Sequence, residues 1–136
     1  MKNGLLFLLA VLILVPSGPK GKFQVCGPKK SDIGSFTYQK DSAVVFQFRY
    51  VNVGDSLLTV TEIVPGCTCM DVSWTTQPLA PGDTGSIRVL YHPGHIGHFK
   101  NILTVINDGF PEWDYLYVEG TAVNEAKNNE ETNAIY

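Results

Sequence analysis

Through the middle of the chain, hydrophobic and polar residues alternate at a period of two. The pattern is clearest in "AVVFQFRYVN" (43–52), where Val44, Phe46, Phe48 and Tyr50 interleave with Val45, Gln47 and Arg49. A two-residue period sends alternate side chains to opposite faces of an extended chain, so this segment predicts a β-strand with one wet face. The same reading predicts strands over 33–38, 57–64, 69–74, 86–92, 98–107 and 115–123; in 86–92, Ile87, Val89 and Tyr91 share a face. The turn-formers "VGDS", "QPLAPGDTG" and "DGFPEWD" separate them, and no segment shows helical spacing. Seven short strands at regular intervals predict an all-β sandwich.

The flanks read differently. "MKNGLLFLLAVLILVPSG" opens with Lys2, continues as an apolar run over Leu5–Val15 and ends in small residues. This is the layout of a signal peptide over residues 1–17, cut after Ser17. The run is shorter than the roughly 20 residues of a spanning helix, so no membrane span is expected after cleavage. The protein is expected in the periplasm, secreted, or at the cell surface. Residues 18–31, "GPKGKFQVCGPKKS", read as a flexible lead-in, and residues 124–136, "NEAKNNEETNAIY", as a disordered polar tail. Between them, residues 32–123 approach the roughly 100 residues of an immunoglobulin-like, seven-stranded antiparallel β-sandwich. Lipidation at Cys26 is disfavoured, because Lys20 and Lys22 separate it from the apolar run and "FQVC" lacks a small residue before the cysteine. The formal net charge is −3, and no basic cluster interleaves with aromatics, so nucleic acid is not an expected partner.

Two features carry candidate chemistry. The first is aromatic. In the last strand Leu116, Val118, Gly120 and Ala122 share one face, while Trp113, Tyr115 and Tyr117 share the other. Either loops of the domain cover that second face, or it is an aromatic ladder that docks another protein, which for an exported chain is an envelope protein.

The second feature is the set of thiols and imidazoles. The chain has three cysteines, so at least one is free, metal-bound or paired with another chain. Cys67 and Cys69 flank Thr68. Two residues along a strand span about 6.6 Å, whereas a disulfide needs Cβ atoms about 3.8 Å apart. A Cys67–Cys69 bridge therefore requires a bent backbone, and its tiny loop adds little stability, which suits a reactive bond better than a staple. On an extended chain both cysteines would face away from the core, opposite Met70, Val72 and Trp74. His92, His95 and His98 are the only histidines and fall in one connection, broken by Pro93-Gly94. Alternate loops of an antiparallel sandwich lie at alternate ends, which places this connection beside Cys67 and Cys69. Thiolate plus imidazole is a ligand set for zinc or copper, so Cys67, Cys69, His92, His95 and His98 form a candidate metal site. Solvated histidines and quiet thiols are the plain alternative. Asp55, Asp83, Asp108 and Glu112 match no calcium loop and read as turn residues. No Gly-x-Ser-x-Gly elbow, His-Glu-x-x-His helix or phosphate-cradling loop is present, and an enzyme is not expected.

The order of "FQFRYVNVGDSLLTV", "GCTC", "PLAPGDTGSIRVLYHPGHIGHFKNILTVIND" and "LYVEGTA" resembles one bacterial family, the domain of unknown function fifteen-seventy-three. The resemblance covers roughly Ile33–Val123. It implies an immunoglobulin-like domain akin to the ASPM–SPD-2–Hydin domains, of a kind abundant in the Bacteroidetes cell envelope, and it implies no activity. Two departures stand out: the family's Ser-Cys-Gly-Cys-Thr is here Gly66-Cys67-Thr68-Cys69-Met70, and the histidine cluster is not part of the family pattern. The expectation is an exported, non-enzymatic module for protein contacts, with a zinc or copper protein and a thiol redox protein as alternatives.

Overall fold

The alternation in the sequence becomes eight strands in a computed structural model that describes residues 20–40 and 42–124. They are β1 (Phe23–Val25), β2 (Lys30–Thr37), β3 (Val44–Asn52), β4 (Val60–Pro65), β5 (Met70–Trp74), β6 (Thr84–Tyr91), β7 (Gly97–Asn107) and β8 (Trp113–Val123). The first sheet has the order β1-β3-β6-β5 and the second β2-β8-β7-β4. Each sheet turns one face inward, and the inward residues are those the two-residue period selects. Phe46, Phe48 and Tyr50 of β3 meet Ile87 and Val89 of β6 in one layer, and Leu103, Val105, Leu116 and Val118 of β7 and β8 in the other. Burying each such aliphatic side chain contributes about 1.5–3 kcal/mol, which makes this layer the main source of stability.

The expected all-β, immunoglobulin-like sandwich is present, with two corrections. Among the described residues there are eight strands rather than seven, because the described part of the expected lead-in forms a strand. Phe23 and Val25 of β1 are 3% and 8% exposed and sit in the core. The Cys26 N–H donates to the Arg49 carbonyl at 2.8 Å, extending the β1–β3 ladder. A three-residue alternation inside a Gly/Pro/Lys-rich stretch suffices because it caps an existing sheet edge. Nor are the sheets wholly antiparallel, since β2 lies parallel to β8 with a bulge between Asp32 and Ser35. The expected signal peptide, and the tail beyond Asn124, lie outside the described residues.

Two details position the ends. Gly85 lies opposite Tyr50 in the β3–β6 register. The Tyr50 ring occupies the space a Cβ at that glycine would need. At the other end, Phe99 stacks on Tyr91 with ring centroids 4.0 Å apart and meets Phe36 and Phe46 edge-on. This aromatic cluster closes the sandwich beneath the cysteine and histidine loops.

Candidate functional site: the cysteine and histidine end and the outer face of β8

The connection from β4 to β5 crosses from one sheet to the other in the four residues Gly66–Cys69. Here the chain turns, and strand alternation stops. Met70 is buried, while Asp71 and Ser73 point to solvent, as the period predicts. Cys67 and Cys69 do not follow it: both are half-buried and pack against the core, and Thr68 between them is exposed. The expectation that the thiols face away from the core is thus corrected, because the turn breaks the parity. The two Sγ atoms are bonded to each other, with Cα atoms 5.2 Å apart. Cys26 is free and exposed on the far edge of the first sheet.

The histidine loop does lie beside this turn, since the His92 N–H donates to the Cys69 carbonyl at 2.8 Å. The imidazoles go elsewhere. His92 Nε2 sits 2.9 Å from Asp71 Oδ2. His98 Nε2 sits 3.0 Å from Glu119 Oε1, and its Nδ1 is 3.2 Å from Thr121 Oγ1. His95 is exposed. Cys67 and Cys69 are therefore brought together, but the five residues named for zinc or copper do not converge. Among the described residues, no three His, Cys, Asp or Glu side chains group around a point that can hold a metal ion. Glu119 also pairs with Lys30. The hydrogen bond from Lys30 holds the Glu119 carboxyl below its usual range, and the same contact pushes the Lys30 ammonium up. Asp108 accepts the Thr59 N–H at 2.8 Å, a turn role.

The aromatic residues of β8 stand on the outer face of the second sheet. Antiparallel pairing sets Trp113 beside Ile106, Tyr115 beside Thr104 and Tyr117 beside Ile102. The β4–β7 ladder extends two of these rows, placing Glu62 beside Ile106 and Val64 beside Thr104. Among the described residues no loop covers this face fully: Trp113 is 57% exposed, Tyr115 42%, Val64 42% and Ile102 37%. A shallow depression of about 330 Å³ lies between Thr104, Ile106, Asn107, Glu112, Trp113 and Tyr115. Val64, Ile102 and Ile106 were not foreseen as part of it. "ILTVI" is apolar at nearly every position, so its period assigns no outer face, and only the strand register does. Glu62 and Glu112 border the Trp113 end and have no cationic partner among the described residues. By contrast, Lys100 lies 6.0 Å from the Tyr117 ring centroid at the other end.

Several solved structures share this fold. A protein of unknown function from Porphyromonas gingivalis W83 superposes with a TM-score of 0.63 at 13% identity, over 74% of this chain and 46% of that one. The Vibrio cholerae VesB protease gives 0.56 at 16% identity, over 76% of this chain and 32% of that one. The ASH/PapD-like domain 7 of human CEP192 gives 0.55 at 10% identity, over 77% of this chain and 87% of that one. At such identities the likeness is one of fold. This chain spans about a third of the Vibrio protein and just under half of the Porphyromonas one. No curated protein matches the sequence. A family model described as protein of unknown function (DUF1573) matches residues 27–122. Among the described residues, no helix is long and apolar enough to cross a membrane.

Proposed function

The chain belongs to the DUF1573 family of proteins of unknown function, and from that premise we propose that it is an exported, non-enzymatic immunoglobulin-like module that binds another protein of the cell envelope. One observation carries this reading: the exposed apolar and aromatic face built by Val64, Ile102, Trp113 and Tyr115. Aromatic side chains presented on a rigid sheet give large contact area at small entropic cost, as in protein interfaces. The rim at the Trp113 end supplies the partner's chemistry. Glu62 and Glu112, which have no cationic partner among the described residues, lie beside the aromatic rows, so the matching surface carries apolar residues next to Lys or Arg. Export is supported by the charged, apolar and small-residue layout of residues 1–17.

The test is site-specific photo-crosslinking in the envelope of the source cell. A photoreactive residue at Tyr115 is expected to give a discrete adduct with one protein, and the same residue at Gln47 on the other sheet to give none. The purified partner should then bind the wild type and lose at least about tenfold in affinity to Trp113→Ala/Tyr115→Ala, as expected for central aromatic contacts. No adduct at 115, or unchanged affinity in the double variant, overturns the proposal. An adduct of the chain with itself overturns the assignment to a different protein.

A further inference from the structure

The Cys67–Cys69 bridge encloses a single residue, so it removes little entropy from the unfolded chain and is a poor staple. The turn is also held without it. The Gly66 N–H donates to the Ile102 carbonyl at 2.8 Å, and the His92 N–H pins the Cys69 carbonyl at the same distance. Both ends of the connection therefore stay fixed to neighbouring strands whether or not the sulfurs are joined. The two sulfurs also differ in their surroundings. The Asn101 side-chain amide on β7 directs an N–H toward Cys69 Sγ at 4.0 Å, and no side-chain donor among the described residues does so for Cys67. A donor on one sulfur favours negative charge there, and exchange proceeds faster when the leaving sulfur is the better-stabilised thiolate. Exposed Gly66 and Thr68 flank Cys67, so an incoming thiolate meets the turn from solvent.

We propose that this bridge is a thiol–disulfide exchange site whose substrate is a dithiol in an exported polypeptide, with Cys67 the sulfur attacked and Cys69 the sulfur that leaves. The first substrate thiolate attacks Cys67 Sγ. The electron pair of the Cys67–Cys69 bond departs on Cys69 Sγ, facing the Asn101 amide, and a mixed disulfide joins Cys67 to the substrate. The second substrate thiolate then attacks the substrate sulfur of that mixed disulfide, and the electron pair departs on Cys67. The two protons released by the substrate thiols end on Cys67 and Cys69. One substrate dithiol is oxidised by two electrons, one bridge is reduced to two thiols, and no other reagent enters. Asn101 is a positioning residue in this scheme.

The experiment uses the full oxidised protein carrying Cys26→Ser, so that only the pair reacts. A synthetic peptide with two cysteines is the substrate, and mass, thiol count and circular dichroism are followed together. The expected result is one peptide disulfide formed per bridge reduced, with an unchanged dichroism spectrum. A bridge that reacts only in denaturant, or a fold lost on reduction, overturns the proposal. Direction is read separately by quenching a reaction with glutathione in acid and mapping the adduct. An adduct on Cys67 supports the assignment, and one on Cys69 overturns it. Asn101→Leu is expected to slow bridge opening by about tenfold, the effect of one weak hydrogen bond to a charged sulfur. In the Cys67→Ser protein the same change should move the pH dependence of Cys69 alkylation upward. An unmoved pH profile removes Asn101 from the scheme.

Discussion

The two ends of the sandwich use polar side chains in opposite ways. At one end Asn52 is fully buried and makes four hydrogen bonds. Its Oδ1 accepts from the Lys22 and Gly54 N–H groups, and its Nδ2 donates to the Ser56 and Leu79 carbonyls. Asn107 does the same work next door, accepting from the Gly109 N–H and donating to the Pro111 carbonyl. At the other end the polar groups are surface imidazoles paired with carboxylates, and the connection from β4 to β5 is a bonded cysteine pair. A saturated buried amide fixes loop backbones that would otherwise be left unpaired away from water. Exposed ion pairs fix little, since water competes for both partners. The first end is thus built for rigidity, and the second is free to carry chemistry.

Breaking the first end should have the largest effect. Asn52→Ala strands two N–H groups and two carbonyls, and should cost about 3 kcal/mol or more in a urea unfolding curve. Asn107→Ala strands fewer groups and should cost about 2 kcal/mol. If either costs under about 0.5 kcal/mol, water replaces the amide and the contrast between the ends fails. Opening the second end should matter far less. Cys67→Ser/Cys69→Ser should lose no more than about 1.5 kcal/mol, because the closed loop is so short. A loss as large as that of Asn52→Ala would make the bridge a structural staple.

The smallest expected effect depends on pH. Glu119 is held below its usual carboxylate range chiefly by the hydrogen bond from Lys30, with His98 adding attraction. A depressed carboxylate contributes stability above its unfolded value and loses it as the pH falls through the folded one. The urea midpoint of the wild type should therefore fall below about pH 4.5, the ordinary value for this group. Glu119→Gln should lower the midpoint slightly at neutral pH and flatten that acid limb. An acid limb of the same depth in the variant would assign it to other carboxylates.

How much of this was legible in the sequence differs by element. β3 and β6 were, because a half-buried strand writes its two faces as an alternation. β1 was not: three residues carry too short a pattern, and they lie upstream of the residues the family match covers. The cysteine and histidine loops were placed at one end from connectivity alone, and the backbone bond from His92 to Cys69 agrees with that. What the imidazoles touch was not legible, because Asp71 and Glu119 meet them only through strand pairing. The orientation of the thiols failed for a related reason, since strand parity ends where a chain turns between sheets. Trp113, Tyr115 and Tyr117 were visible as a face, but the rows that complete it come from β4 and β7.

The parallel seam between β2 and β8 has a kinetic consequence. It joins the second described strand to the eighth, so β2 has no strand partner until residues 113–123 have been made. Contacts between such distant segments are slow to form, because a long loop must close before any pairing is gained. A chain emerging from the ribosome can assemble β3 with β6 early, but the second sheet stays open until residues 113–123 arrive. Until then the chain carries one sheet that can close early and one that cannot.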